Sequence, residues 1–136
     1  MASLQDNAAL VRRIYEAWTG IDPGLEYIHP DFELHQTATL IDTARIFRGH
    51  RGLMRASAEL YSDMHRLRWE PEDFVAAPDG RIVVPFRFRG EGRTSGIPTE
   101  MHLVHVWTLR DGVAVRCDTY EDLEDALEAA GVRARA

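Results

Sequence analysis

Hydrophobic residues near the start of the chain recur at spacings of three and four. One apolar stripe within residues 4–19 consists of Leu10, Val11, Ile14, Tyr15 and Trp18. This spacing predicts an amphipathic helix, since residues three or four apart share one helical face. Gly20 follows directly and is typical of a helix end. A similar stripe in residues 50–64, just after Gly49, predicts a further long helix.

The segment between these two helices has mixed signals. Residues 22–28 predict a short helix, with Asp22 as its N-cap and Pro23 at its first helical position. His29-Pro30-Asp31 interrupts that helix, and a strand is predicted to start at Asp31. Residues 38–47 are ambiguous, and we interpret them as a loop with one helical turn.

The second half of the chain alternates between apolar and polar residues, with turn signals between the segments. The pattern predicts four consecutive strands, at 66–77, 81–92, 99–110 and 113–120. Turns at 78–80 and 111–112 make hairpins, so the strands form an antiparallel meander. Pro85 lacks an amide hydrogen and predicts a bulge or an edge position. A short helix at 121–131 and a frayed tail at 132–136 complete an α+β domain spanning residues 1–136.

Net charge, cysteine content and the lack of long apolar stretches exclude several classes of protein. The formal net charge is -6 and basic residues are interspersed with acidic ones, which argues against a nucleic-acid surface. The single cysteine, Cys117, excludes an internal disulfide. No apolar stretch approaches the roughly 20 residues that cross a bilayer, and no N-terminal signal is evident, so we expect a cytoplasmic protein without membrane partners.

Several motifs in this order of elements resemble one family. They are HPDFEL (29–34), FRGHRGL (47–53), SGIPTEM (95–101), VWTLRDG (106–112) and YEDLEDALEAAG (120–131). Together they resemble the SnoaL-like branch of the NTF2-like superfamily over roughly residues 5–131. The resemblance implies a cone of curved antiparallel sheet, closed by the N-terminal helices around a central pocket. Members include polyketide cyclases and ketosteroid isomerases as well as proteins without known activity, so the fold does not fix the function.

The cone implies which strand face lines the pocket. On MHLVHVWTL (101–109) alternate residues face opposite ways, and the resemblance turns His105 inward with its neighbours of the same parity. The implied ligand-contacting residues are Trp18, Phe86, Phe88, Met101, Trp107, Cys117 and Thr119. A bound ring would stack on their aromatic side chains. We therefore expect the partner to be a small hydrophobic cyclic molecule.

The family's catalytic groups are only partly present. Positions where ketosteroid isomerases carry a tyrosine, a base and an acid correspond here to Ile14, Gln36 and His105. SnoaL-like cyclases place an aspartate on the last strand, where this chain has Thr119, or Asp118 if the register slips by one residue. The remaining candidates are His105, His35 and Tyr15, which would move a proton and stabilise an enolate during isomerisation, cyclisation or dehydration.

Structural explanations compete with this chemistry. A single histidine on an apolar face is commonly a hydrogen-bonded core residue, and the aromatic residues would fill any well-packed core. A non-catalytic module for ligand binding or dimerisation is therefore the alternative function. We find no three-ligand set for a metal, since His102 and His105 fall on opposite strand faces, and we predict no cofactor.

The opposite sheet face predicts an oligomer. Val104 and Val106 lie there beside charged side chains, and an apolar patch of that size is unusual on a monomer. The other outward residues are Arg87, Arg89, Arg116, Asp118 and Tyr120. Because SnoaL-like proteins commonly pair through this face, we expect a homodimer, with His102 at its interface.

Overall fold

The computed structural model describes residues 4–36 and 45–132. The helices are α1 (Leu4–Thr19), α2 (Gly49–Asp63) and α3 (Leu123–Ala129), with a 3-10 turn at Leu25–Tyr27. The strands are β1 (Ile28–Gln36), β2 (Arg45–Arg48), β3 (Met64–Pro71), β4 (Val75–Ala76), β5 (Ile82–Gly92), β6 (Pro98–Arg110) and β7 (Val113–Tyr120). The predicted α+β class is confirmed.

One curved, mixed sheet organises the described residues. Its strand order is β2-β1-β7-β6-β5-β3, and β4 pairs with β5 beside β3. The predicted meander is confirmed, because β3, β5, β6 and β7 pair antiparallel in sequence order. Strand β1 pairs parallel with β7 and antiparallel with β2. Strand β1 therefore lies beside β7, the last strand of the meander, and β2 lies beyond β1 at the edge of the sheet.

The predicted strand at 66–77 is divided into β3 and β4. The gap between them explains how Pro85, which lacks an amide hydrogen, fits within β5. Strand β3 ends at Pro71, β4 covers only two residues, and between them the amide of Glu72 donates to the carbonyl of Pro85 at 2.8 Å. The nitrogen and carbonyl of one residue point to the same side of a strand. Pro85 therefore turns its missing donor toward the gap between β3 and β4. Pairing of β5 with β6 continues through Pro85 without a register shift, so the predicted bulge is absent there, while β3 shifts its register against β5 between His65 and Arg68.

The helix predicted at 22–28 is wrong in extent. Gly24 adopts a φ of 70°, which interrupts a helix, and only Leu25–Tyr27 form a 3-10 turn. The Asp22 carboxylate accepts a hydrogen bond from the Gly24 amide at 2.9 Å, so it shapes a turn and does not cap a helix at Pro23. Strand β1 begins at Ile28, three residues before the predicted start, and so includes His29 and Pro30, which were expected to interrupt the helix.

Two other sequence predictions lie partly outside the described residues. Within the ambiguous segment 38–47, residues 45–47 belong to strand β2, while 38–44 are outside the description. Of the tail predicted to fray, only Val132 is described. The last helix is shorter than the predicted 121–131, and the Asp122 side chain caps it by accepting from the Glu124 amide.

Helix α1 ends at Thr19, directly before Gly20, as the sequence predicts. The amide of Ile21 donates to the Trp18 carbonyl at 3.1 Å, and the amide of Asp22 donates to the Ala17 carbonyl at 2.8 Å. This pair of bonds is a Schellman motif, whose left-handed position usually holds glycine. Here Ile21 takes that position with a φ of 63°. A left-handed conformation costs an L-residue about 1–2 kcal/mol.

The inner sheet face packs against α1 and α2. Along α1 the predicted stripe is confirmed, since Val11, Ile14 and Tyr15 are almost completely buried and Trp18 is 8% exposed. They join Phe32, Phe86 and Trp107 in one hydrophobic cluster. We call this the inner face, and the face toward α3 the outer face.

The outer face is covered where an exposed patch was predicted. Val104 and Val106 are buried under α3, against Ala126, Leu127 and Ala130. The argument for dimerisation from an exposed apolar patch is therefore wrong, because the last helix removes that patch from solvent. Leu123, at the start of α3, is 39% exposed.

The close approach of Gly52 in α2 to the backbone of Phe47 in β2 can be tested by substitution. A Cβ added there would lie 2.9 Å from the backbone carbonyl carbon of Phe47, which cannot move like a side-chain end. We expect Gly52→Ala to destabilise the protein by about 1–3 kcal/mol despite alanine's better helix propensity. The control is Gly20→Ala, whose Cβ meets only ordinary contacts. Urea unfolding checks both, and equal stability of the two variants would contradict this packing.

Candidate functional site

A pocket of about 630 Å³ lies between the inner sheet face, the end of α1 and helix α2. Most of its lining is apolar, contributed by Trp18, Leu34, Phe47, Leu60, Tyr61, Met64, Trp69, Phe86, Phe88, Met101 and Leu103. Its volume falls within the range of sites that hold small organic ligands. The polar residues of the lining include Gln36, Ser57, His105 and Thr119.

Aromatic rings pack closely along this lining. The rings of Phe86 and His105 are stacked, with centroids 4.2 Å apart. Trp69 contacts Phe88 at 4.7 Å and Trp18 at 5.0 Å, in both cases edge to face. These contacts restrict the side chains to fixed rotamers and leave flat apolar surfaces facing the pocket. The site is therefore suited to a planar, hydrophobic molecule.

A buried hydrogen-bond chain supports His105. The indole nitrogen of Trp107 donates to the Tyr15 hydroxyl oxygen at 2.8 Å, and that hydroxyl lies 2.7 Å from Nδ1 of His105. Because the tyrosine oxygen accepts from Trp107, its own hydrogen is free to go to Nδ1. Nδ1 is then the acceptor, and the neutral ring carries its hydrogen on Nε2. The chain fixes both the tautomer and the orientation of the imidazole.

Burial determines the charge of the hydrogen-bonded side chains of Tyr15 and His105. Desolvation lowers the pKa of His105 to about 3, because the imidazolium would lose its hydration. Burial also raises the pKa of Tyr15 well above its ordinary value. Both groups are therefore neutral at physiological pH. At physiological pH the His105 ring is therefore an uncharged group, and its part in moving a proton stays a prediction.

The structure brings most of the predicted site residues together. Those that line the pocket are Trp18, Phe86, Phe88, Met101, His105 and Thr119. Tyr15, Trp107 and Cys117 lie behind this surface in the fully buried core. Burial raises the pKa of the Cys117 thiol, so it is an un-ionised core side chain.

His35 lies outside the pocket. Its Nε2 is 2.8 Å from the carboxylate of Glu33, two residues earlier on β1, while Leu34 and Gln36 face the pocket between and beyond them. The sequence alone assigned no parity to this strand, and the structure turns Gln36, not His35, toward the pocket. The Glu33 carboxylate has its pKa lowered by the hydrogen bond with His35. This pair is a feature of the outer face.

The register of the last strand is also fixed. Thr119 pairs with His105 and lines the pocket, whereas Asp118 pairs with Val106. Asp118 forms a two-bond ion pair with Arg116 on the outer face, at 2.9 Å for each bond. The slipped alternative, with Asp118 as the pocket acid, is thus excluded.

Two positions matched to the isomerase residues have different environments. Ile14 is buried in the core, and the next residue, Tyr15, supplies the hydroxyl that contacts His105. Gln36 lines the pocket but offers an amide where the isomerases carry a carboxylate base. The site therefore retains a hydroxyl-supported donor without the isomerase base.

Sequence reasoning missed several lining residues. Trp69 stands on β3 opposite Phe88, and recognising it required the pairing of β3 with β5. Ile21 and Met54 are exposed residues at the pocket, from the turn after α1 and from α2. The signal that the sequence offers for these two residues is a large apolar side chain outside the predicted helical stripes.

Neither a cluster of metal ligands nor a bilayer-spanning helix is found among residues 4–36 and 45–132. No group of three or more histidine, cysteine, aspartate or glutamate side chains there could hold a metal ion. His102 is 63% exposed on the outer face, 3.7 Å from Glu100 and 3.8 Å from Glu72. None of the helices in this part of the chain has the length and apolar character that crossing a bilayer requires.

Comparison with solved structures identifies the fold. An NTF2-like protein of unknown function from Burkholderia pseudomallei is 24% identical over 98% of this chain and 100% of its own, with a TM-score of 0.74. TerC, co-crystallised with polyporic acid, is 24% identical over 92% of this chain and 98% of its own, with a TM-score of 0.73. A ketosteroid isomerase-like fold from Catenulispora acidiphila, in complex with trimethylamine, is 16% identical over 91% and 93%, with a TM-score of 0.72. The fold is therefore an NTF2-like α+β cone.

The family follows from the sequence itself. The family model of the SnoaL-like domain matches residues 11–117, which form most of the chain. The chain belongs to the SnoaL-like family, and the resemblance seen in its motifs is confirmed. The comparison with curated protein sequences gave no match.

Proposed function

We propose that the pocket binds a small, flat, hydrophobic ring compound whose carbonyl oxygen accepts a hydrogen bond from Nε2 of His105. One observation carries this proposal: His105 lines an apolar pocket while its Nδ1 is already held by Tyr15. Nε2–H is then the polar atom that the ring can offer to a ligand. Among the described residues no acceptor is found for it.

The environment supports polarisation of that carbonyl. A neutral donor in a water-poor site interacts more strongly with developing negative charge than it would in solvent. Isomerisation, aldol cyclisation and dehydration of cyclic ketones each pass through an enolate or a similar oxyanion. We propose this reaction class, with His105 as the hydrogen-bond donor and Tyr15 as the residue that positions it. The co-crystal of TerC with polyporic acid supports small-molecule binding by this fold.

A non-catalytic binding module is the second candidate, and one observation favours it. The carboxylates in the described lining are Asp22, Glu59 and Asp63, and none of them is hydrogen-bonded to His105 or Tyr15. Glu59 is also held by Arg45 through two hydrogen bonds. Proton abstraction needs a base close to the bound ligand, whereas simple binding does not.

A matched pair of ligands tests the binding proposal. 2-Acetylnaphthalene carries a carbonyl oxygen, and 2-isopropenylnaphthalene replaces that oxygen with a methylene group of similar shape. We expect wild type to bind the ketone about tenfold more tightly, as one hydrogen bond in a desolvated site allows. His105→Phe keeps an aromatic ring without the donor and should bind both compounds equally. Isothermal titration measures these affinities, and equal binding of the two compounds to wild type would sink the proposal.

Catalysis is tested with the same ketone. Polarisation of the carbonyl by His105 makes the methyl protons more acidic, so hydroxide or buffer base removes them faster and solvent deuterium replaces them, which proton NMR follows directly. We expect exchange above the buffer rate with wild type and exchange at the buffer rate alone with His105→Phe. Tight binding without accelerated exchange would select the non-catalytic module.

Two further sequence predictions stay predictions. The homodimer is now supported only by mixed charge on the outer face, where Arg87 and Arg89 lie near Glu70 and Glu100. Such a face is complementary to a second copy of itself, although exposed ion pairs contribute little free energy. Light scattering coupled to size exclusion measures the oligomeric state. The cytoplasmic location is likewise a prediction.

A further inference from the structure

The turn after α1 contains a strained residue. Ile21 occupies the left-handed position of the Schellman motif, with a φ of 63°. This conformation is uncommon for residues other than glycine and is an outlier for a β-branched side chain. Glycine would adopt it without a steric penalty. Isoleucine therefore destabilises the backbone conformation at this position relative to glycine.

Neighbouring hydrogen bonds hold the turn in this strained form. The indole nitrogen of Trp18 donates to the Pro23 carbonyl at 2.9 Å. The Gly24 amide donates to the Asp22 carboxylate, also at 2.9 Å. Such strain persists where the surrounding structure over-determines the backbone, and it is concentrated at ligand and active sites.

Packing within the protein does not explain why position 21 carries a large apolar side chain. Ile21 is 73% exposed, more than any other large hydrophobic residue identified as exposed in the described part of the chain. It nevertheless lines the pocket together with Trp18, its neighbour on α1. A ligand that fills the pocket as far as this rim would remove the Ile21 side chain from water.

We propose that Ile21 is a specificity-determining residue, which packs against a hydrocarbon part of the bound molecule. This inference rests on the proposed function, because it concerns the same pocket. It selects ligands with an apolar edge at the rim, in addition to the carbonyl oxygen that contacts His105. The contact made in the complex accounts for a side chain that the free protein neither buries nor accommodates without strain.

Three substitutions at Ile21 separate ligand contact from backbone strain. Ile21→Gly removes both, and Ile21→Asn relieves the strain with a polar side chain, since asparagine tolerates the left-handed region. We expect both to raise Tm by about 2–6 °C and to weaken binding of 2-acetylnaphthalene about fivefold to tenfold. Ile21→Leu keeps the apolar contact and should bind within about twofold of wild type. Isothermal titration and thermal unfolding provide the two readouts.

Asp111→Gly is the matched control. Asp111 also has a positive φ, of 53°, but lies in the β6–β7 turn outside the pocket lining. It should bind the ketone as wild type does. Wild-type affinity in both Ile21→Gly and Ile21→Asn would overturn this inference, as would an equal loss in Asp111→Gly. Failure of wild type to bind the ketone would instead overturn the proposed function itself, and this inference with it.

Discussion

A Tyr15→Phe variant is expected to unfold at clearly lower urea concentration than wild type, having lost about 2–5 kcal/mol of stability. The substitution removes one oxygen from a fully buried ring and leaves the apolar packing almost unchanged. That oxygen accepts from the Trp107 indole and faces Nδ1 of His105. Both partners would then be buried without a hydrogen bond, and each unsatisfied group costs about 1–3 kcal/mol.

Tyr120→Phe provides the control for this result. It removes the same atom from a half-buried tyrosine on the outer strand face, where water can replace a lost contact. Its stability should stay within about 0.5 kcal/mol of wild type. If Tyr15→Phe were as stable as Tyr120→Phe, the hydrogen-bond chain would not be part of the folded protein in solution.

Stability should also fall as the pH is lowered through the mildly acidic range. His105 has an ordinary pKa of 6.5 when exposed and a pKa of about 3 in the folded protein. Between these values the unfolded state binds the proton and the folded state does not, so acid favours unfolding. The slope approaches about 1.4 kcal/mol per pH unit, and the full loss is on the order of 4 kcal/mol.

The measurement is urea unfolding at several pH values between 6.5 and 5. In that window Glu33 and Glu59, whose lowered pKa values also link acid to stability, remain ionised. His105→Gln should flatten the slope, even if it lowers stability at every pH. His102→Gln, on the exposed face of the same strand, should keep the wild-type slope. A steep slope that persists in His105→Gln would assign the acid sensitivity to other groups.

The sequence was informative where alternation was regular. On β6 the alternation of residues 101–109, together with the cone that the resemblance implied, predicted that His105 and Met101 face the pocket, and both line it. On β7 the resemblance implied that Thr119 points inward, with Asp118 as the alternative, and Thr119 lines the pocket. For His35 the sequence set no parity, and in the structure its ring turns toward Glu33 and not into the pocket.

What the sequence could not supply was contact between distant elements. The sequence predicted a short helix at 121–131 but not that this helix would cover Val104 and Val106. Likewise, Tyr15 was a candidate from its position on α1, but its bond to His105 depends on how that helix is placed on the sheet. The neutral state of His105 follows from its burial in the folded protein, which no local pattern encodes.

The topology of the sheet has a consequence for the synthesis of this protein. Tyr15 and His105 are 90 residues apart in the sequence, and β1 obtains its parallel partner only when β7 is available. Contacts between such distant residues slow folding, because a long loop must close before they form. On the ribosome, α1 and β1 must wait for almost the whole chain to emerge. A nascent chain without β7 would contain α1 but neither Thr119 nor the parallel partner of β1, so its pocket would be incomplete.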